Sequence, residues 1–497
     1  MRARARGVWL SSALLGCVCC CCPTQEPEAP ELPKTPSNVI LDKSECRFCL
    51  DRVEIVYSRN VTRDEAVAIL SSTFLAGPLH NNPSVKLQPS VGIELGAQLD
   101  LRRVYTLRFP PRQSQQELQK VQDRLQRELT HAHLLGEANR PHVVRVARVP
   151  LARPPDDTWV DRIEDKRCGK QVYIERTGVR AAWRCGAMGR GVDVADIDWG
   201  FVDHDDLKDA SGDPLKHAYD LGHASDLCNK TNELGGGNQS YHGLANSCLI
   251  AARTNGRAIQ GVAPEAKVWP IRAGCDDSDS ETPDSDGNRW ATAIAEAIKA
   301  RQEGRPLVIL LEVQTYCGGN FENVPSVGDA IKKAIEKEIT VVVSAGNGGR
   351  CADMDEDDPN LKIESTGSIL VGATWFRKKE QVLADFSNWG ERIVVSAPGE
   401  GDLTCGKGKN GEQCNDGPPN QAYTVDYGGT SGAAAIVAGV VALMLEKDHD
   451  LAPADIAAAL KGRETPIAGA NPAGVFLNAA AAIAAVDPNG CNEESPH

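Results

Sequence analysis

The chain has no surplus of positive charge. It sets 54 Lys and Arg against 68 Asp and Glu over 497 residues, a formal charge of −14. Neutralising a phosphate backbone takes clustered Lys and Arg, so this balance argues against a nucleic-acid binder. It says nothing of fold, because net charge bears on solubility. No repeat of 20–50 residues is present, which argues against solenoids and propellers. No apolar run is long enough to span a bilayer: the longest, Gly432–Leu445, has 14 residues where ~18–20 are needed. What is present is ordinary globular material. With Gly counted and Tyr left out, the apolar share is about 49%, which rules out a largely disordered chain. The length allows two to four domains.

The 17 cysteines fall into two groups. Five of them (Cys17, Cys19, Cys20, Cys21 and Cys22) close an N-terminus in which Arg2, Arg4 and Arg6 precede the short apolar stretch Val8–Leu15. This reads as an export signal over residues 1–22. Leu14-Leu15-Gly16-Cys17 resembles a bacterial lipobox, in which Cys17 would be lipidated; an ordinary secretory signal with an incidental cysteine run is the alternative. One acyl group would tether the protein to a membrane that it never spans. Outside the cytosol the remaining twelve cysteines are expected to form disulfides. Cys405 with Cys414, and Cys168 with Cys185, each bracket a short segment and are read as local pairs. Cys46-Arg47-Phe48-Cys49 is a lone CxxC with no second ligand pair, a weak zinc or redox signal.

Residues 23–45 form a linker that opens on the Pro- and Glu-rich stretch 23–40. From 46 to 150 the pattern is that of a small α/β unit. Val53–Tyr57, Tyr105–Phe109 and Val143–Val149 are strand-like, while Thr62-x-x-Glu65 and Ser114-x-x-Glu117 are capping boxes that open helices. Pro150–Pro155 marks a boundary. Over 151–487 apolar strands alternate with helices and Gly-rich turns, the pattern of a mostly parallel sheet covered on both faces. Residues 488–497 are a tail.

Four segments in this larger unit each end a strand or open a helix on a reactive side chain. Val192–Gly200 is an apolar strand that ends on Asp198, placing a carboxylate at the edge where open α/β sheets build their sites. Tyr241-His242-Gly243 opens a small, apolar helical run. Ile339–Ser344 is a buried strand that breaks at Gly346-Asn347-Gly348. Tyr427-Gly428-Gly429-Thr430-Ser431 runs into the apolar segment 432–445, so Ser431 sits in the first turn of a helix. Free N–H groups and the positive helix end there suit an oxyanion. Taken singly, each has a plain structural reading as a turn residue, a core histidine or a helix cap.

Together they take the chain order Asp, His, Ser that distinguishes subtilisin from chymotrypsin and the α/β-hydrolases. Asp198-Trp199-Gly200 with His204 and Asp206-Leu207 resembles the D-[ST]-G…H-x-D-L block of subtilases. His242-Gly243 with Gly261-Val262-Ala263-Pro264 resembles HGT…GVAP, and Ser344-Ala345-Gly346-Asn347 resembles AAGN. Val371-Gly372-Ala373, Phe386-Ser387-Asn388-Trp389-Gly390 and Ala397-Pro398-Gly399 resemble the VGA, FSNYG and APG turns. Gly429-Thr430-Ser431 with Ala433 and Val437-Ala438-Gly439 resembles GTSMA…VAG. Across roughly 188–485 the chain is similar to subtilisin-like serine peptidases.

The resemblance implies a subtilisin-like three-layer α/β/α fold with a mostly parallel sheet, preceded by a small α+β prodomain over 46–150, for which a permanent accessory domain is the alternative. It implies an Asp198–His242–Ser431 triad, with Asn347 as an oxyanion donor and no cofactor needed for catalysis. Protein or peptide substrates are the implied partners. A subtilase-fold surface protein that binds peptides with little catalysis is the alternative, motivated by departures near the triad. Trp199 replaces Ser or Thr, Leu244 replaces Thr, Gly432 replaces Met, and Asp196 adds a second carboxylate two residues before Asp198. Where subtilases carry a run like NMSLG, this chain has Leu310-Leu311-Glu312-Val313-Gln314. Glu312 and Gln314 are therefore expected near the substrate, with Glu312 either favouring a basic P1 residue or tied to a structural partner. The acidic loops Asp276–Asp286 and Asp353–Asp358 suit structural calcium, with a merely solvated acidic surface as the alternative.

Overall fold

The computed structural model describes residues 48–74, 86–89, 103–109, 112, 114–134, 142–150, 152–153, 168–234, 240–275, 287–356, 360–377, 380–408, 411, 413–462, 467–469 and 471–488. Cys17, Cys46 and the loop 276–286 lie outside these. All described residues fall within one compact unit, Thr35–His497.

The first part of the chain alternates strands with two helices opened by capping boxes. Its elements are β1 (Phe48–Tyr57), α1 (Arg63–Phe74), β2 (Lys86–Pro89), β3 (Val104–Arg108), α2 (Gln115–Leu134), β4 (Val143–Pro150) and the two-residue β5 (Ala152–Arg153). At α1 the box is reciprocal: Thr62 N–H donates to Glu65 (2.7 Å) and Glu65 N–H donates back to Thr62 Oγ1 (3.2 Å). This satisfies two of the helix's orphan donors. Strands β2-β3-β1-β4 form an antiparallel sheet. One face is covered by the apolar side of α2, through Leu118, Leu125 and Leu129.

Runs of branched apolar residues, buried on both faces, then build a second and larger sheet. Its elements follow α3 (Val172–Arg176) and α4 (Val179–Arg184): β6 (Asp193–Asp198), β7 (Ser225–Asp226), α5 (Ser240–Ala251), β8 (Lys267–Arg272), α6 (Gly287–Ala300), β9 (Leu307–Leu311), β10 (Gln314–Thr315), α7 (Pro325–Ile335), β11 (Thr340–Ser344), β12 (Ile369–Arg377), β13 (Glu380–Leu383) and β14 (Ile393–Pro398). The chain closes with β15 (Thr404–Cys405), β16 (Tyr423–Thr424), α8 (Gly429–Lys447), α9 (Pro453–Lys461), β17 (Val475–Phe476) and α10 (Ala479–Val486). The order is β17-β14-β12-β11-β9-β6-β8-β7, parallel except for β13, which pairs antiparallel with β12. Residues of α5 and α8 fill the core on one face and those of α6 and α7 on the other. The fold is thus three layers, α/β/α.

Among the described residues one helix, α8, is long and apolar enough to cross a membrane, and 94% of its apolar window is buried inside the protein. Its apolarity is that of a core helix.

From β6 the chain crosses to β7 at the sheet edge, lays β8 between the two, then returns to lay β9, β11, β12 and β14 on the other side of β6. The connections therefore diverge between β6 and β9, and the carboxyl ends of these two strands open a crevice, where such sheets place their ligands.

The smaller sheet sits against the start of the two outer helices. Arg103 pairs with Asp329 of α7 (Nε to Oδ2 2.9 Å), and Asn288 Nδ2 at the start of α6 donates to Thr106 Oγ1 (3.1 Å). Ser326 N–H at the start of α7 donates to the Glu54 carboxylate (3.0 Å), an anion at a positive helix end. Beyond β4, β5 pairs antiparallel with β10, matching Gln314 to Arg153 and Thr315 to Ala152.

The disulfides are not the local ones expected. Cys168 bonds Cys414 and Cys248 bonds Cys405, while Cys228 bonds Cys275; Cys185, Cys317 and Cys351 are also in disulfides. The first two closures span 246 and 157 residues, because proximity in the fold and not along the chain sets the partner.

Candidate active site

Asp198 closes β6, and its carboxylate faces α5. His242, in the first turn of α5, sets Nδ1 2.7 and 2.8 Å from the two Asp198 oxygens. A carboxylate only accepts, so the proton is on Nδ1 and Nε2 carries the lone pair. The Nε2 atom is buried and has no hydrogen-bond partner, which leaves it open to take a proton. Asp198 is held further by Trp199 N–H (2.5 Å) and by Asn246 Nδ2 (3.0 Å), one turn after His242. Asn246 is fixed in turn by Tyr427 O–H on its Oδ1 (2.5 Å), and the Tyr427 ring lies edge-on to His242 at 5.7 Å.

Close approach of α5 to the β6 turn requires Gly243. A Cβ there would stand 2.4 Å from Gly200 O and 2.6 Å from the Phe201 ring. The nearby departures from the family pattern are accommodated by packing. The Trp199 ring covers Gly274, where a Cβ would meet it at 2.3 Å, and stacks edge-on with Trp290. Leu244 is buried in the core. At Gly432 a Cβ would meet Asp402 Oδ2 at 2.9 Å, so this carboxyl takes space beside the first turn of α8. Burial pushes Asp402 well above the usual carboxylate range, helped by the Glu400 charge.

Ser431 lies in the first turn of α8, whose leading N–H groups have no partner within the helix. Its neighbour Thr430 joins this turn to the break after β11: Thr430 N–H and O–H both donate to Asn347 Oδ1 (2.9 and 2.8 Å), and Gly346 N–H donates to Thr430 Oγ1 (3.2 Å). With Oδ1 so engaged, the amide orientation is set and Nδ2 is left to donate elsewhere. Asn347 N–H donates to Gln314 Oε1 (2.7 Å), which couples this corner to the strand that pairs with β5. Asp198, His242, Asn347 and Ser431 are all nearly inaccessible to solvent.

Glu312 points inward. Its carboxyl is buried beside Asp196 and Asp198, with one oxygen of each of the three groups within 4.8 Å of the others. This replaces the approach to a basic P1 side chain that its position suggested. Asp196 accepts from Ser247 Oγ (2.7 Å). Burial, then the Asp196 and Asp198 charges, push Glu312 well above the carboxylate range, and burial with the Asp198 charge does the same to Asp196.

His204 is a structural group. Nδ1 accepts from Asp206 N–H (3.1 Å) and Nε2 faces Ala422 O (3.1 Å), while burial lowers the ring to about 4. In the loop from Asp353, Asp353 accepts from Glu391 and Arg392 N–H, Asp355 pairs with Arg145, and Glu356 accepts from Thr315. Asp357 and Asp358 lie outside the described residues.

Asn246, Tyr427 and Thr430 were not singled out in the sequence. The His242–Asn246 spacing of one helical turn is the signal that points to the first; the other two act through contacts between segments remote in the chain.

An Asp–His pair lies at the switch point of a parallel sheet, beside a helix that opens on Ser, on an α/β/α scaffold. A model of the family described as the Subtilase family matches residues 189–472, more than half of the chain, and the chain belongs to that family. An extracellular protease of Xanthomonas campestris pv. campestris is 28% identical over 443 residues, 83% of this chain and 71% of that protein. The minor extracellular protease Epr of Bacillus subtilis is 26% identical over 230 residues, 46% of this chain; the match covers 30% of that relative's length. The crystal structure of fervidolysin from Fervidobacterium pennivorans, a keratinolytic enzyme related to subtilisin, shares the fold with a TM-score of 0.55 and 20% identity, covering 88% of this chain and 61% of that one.

Proposed function

We infer that this protein is an exported serine endopeptidase that cleaves peptide bonds in protein or peptide substrates through an acyl-enzyme. One observation carries the reading: His242 is locked to Asp198 through Nδ1 while Nε2 stands open. Ser431 Oγ attacks the scissile carbonyl and His242 Nε2 takes its proton, later giving it to the leaving amine. Asp198 stabilises the imidazolium between these steps. Asn347 Nδ2 and the Ser431 N–H bind the oxyanion, where preorganised donors matter most. Water then attacks the acyl-enzyme, with His242 again as base. The extracellular relatives and the Arg-rich, apolar N-terminus support export, with Cys17 as the residue lipidated if the signal is a lipobox.

Residues 46–150 act as a prodomain in this reading. Their sheet contacts the starts of α6 and α7, and the strand that follows lies on β10 as an extended peptide would. The test is labelling with a fluorophosphonate probe after removal of the prodomain. Wild type is expected to label and Ser431→Ala not to. A folded wild type that resists the probe would favour the peptide-binding alternative.

A further inference from the structure

Three carboxyl groups, Asp196, Asp198 and Glu312, meet at the carboxyl ends of β6 and β9. Asp196 and Asp198 share a face of β6 because they are two residues apart. The register pairs Ile197 with Leu311, so Glu312 comes next on β9, opposite Asp198. All three are buried, and among the described residues no donor reaches either Glu312 oxygen or Asp196 Oδ1. Asp198 is different, since Trp199, His242 and Asn246 already donate to it, three of the roughly four bonds a carboxylate accepts. With Asp198 so committed, the oxygens left over are too few for a hard cation. Three charges this close and this dry cannot coexist; carboxyls that share a site retain protons instead.

We propose that Glu312 is a positioning residue of the catalytic site: held as the neutral acid, it donates its O–H to the Asp196–Asp198 pair, so that the cluster's negative charge stays on Asp198 and His242 is held for catalysis. The proposal rests on the peptidase reading above. One oxygen of each of the three groups lies within 4.8 Å of the others, so a proton held by Glu312 sits among carboxylate acceptors.

The other groups facing the cluster do not supply a compensating charge. From α5 come His242 and the neutral Asn246 and Ser247. From β8 comes Arg272, whose guanidinium turns away to Trp199 O, Gly274 O and Asp226. Tyr219 and Tyr427 are both kept protonated, by burial first and then by the carboxylates themselves.

Two measurements test this. The first needs no activity: the infrared spectrum of Ser431→Ala protein at pH 8 should show the C=O stretch of a buried protonated carboxyl, altered when Glu312→Gln is added. A spectrum without such a band overturns the proposal. The second is the pH profile of kcat/KM. Glu312→Gln, which keeps a neutral donor, should leave the acidic limb that reports His242 in place, with activity within a few-fold of wild type. Glu312→Leu, which cannot donate, should lose ~10-fold or more in kcat. Were Glu312 ionised, removing its charge would move the limb down by about one pH unit or more, and that result refutes the neutral acid. Equal losses in kcat for Gln and Leu would refute the donor role. Failure of wild type to label with the fluorophosphonate would instead strike the peptidase reading and leave the infrared result standing.

Discussion

Asn347 has two separable jobs, and two substitutions divide them. Oδ1 accepts the Thr430 N–H and O–H at 2.9 and 2.8 Å, tying the first turn of α8 to the break after β11. In the proposed mechanism Nδ2 is the donor offered to the oxyanion. Asn347→Leu removes both. Loss of one oxyanion donor costs about 10²–10³ in kcat, roughly 2.7–4 kcal/mol of transition-state stabilisation, a magnitude taken from a subtilisin. The buried Thr430 N–H, left without an acceptor, adds about 1–3 kcal/mol of destabilisation. Asn347→Asp is nearly isosteric and keeps an oxygen where Oδ1 stands, so the Thr430 bonds survive and the fold keeps its stability. It loses both side-chain N–H groups and sets a negative charge where one is about to develop. The expected pattern is a kcat at least 10²-fold low for both variants with KM little changed, and a lowered unfolding midpoint for Leu only. Turnover of a chromogenic peptide gives kcat and KM, and thermal unfolding in a Ser431→Ala background avoids self-digestion. An Asp variant within tenfold of wild-type kcat would refute the assignment of Nδ2 as an oxyanion donor. An equal loss of stability in both variants would refute the division of labour.

Two further outcomes follow from the same geometry. His204 is lowered to about 4 by burial, so it folds neutral and must charge in acid. Its contribution is whole above pH 6.5 and is lost as pH falls toward 4, about 3 kcal/mol in all. The raised Asp196, Asp206, Glu312 and Asp402 slope the other way, so the quantity to measure is the stability difference between wild type and His204→Asn across that window. A constant difference from pH 7 to pH 4 would contradict the assignment. Gly243→Ala should cost at least 10²-fold in kcat, since a Cβ 2.4 Å from Gly200 O moves the turn that carries Asp198 relative to His242; near-normal turnover in a folded variant would show that the helix tolerates the methyl group.

Local demands of the backbone explain which parts of the site are readable from residues alone. A carboxylate at a strand's end, a glycine after His242, a Gly-Asn-Gly break and a serine in a helix's first turn each leave a mark within a few residues, and β6, α5, β11 and α8 put those marks on one edge of the sheet. Pairings across the fold leave no such mark. Cys405 lies nine residues from Cys414 in the chain, yet α5 brings Cys248 to it and the segment before α3 brings Cys168 to Cys414. Glu312 shows the limit most directly. Its place in the chain, on a segment that substrates meet in related proteins, points toward specificity, but strand parity decides where a side chain goes. One step past the Ile197–Leu311 pair, it shares the face of Asp196 and Asp198, so two residues that look like separate oddities in the sequence become one buried cluster. Such a cluster is intelligible only if protons are counted along with residues, because three buried carboxyls this close do not all ionise.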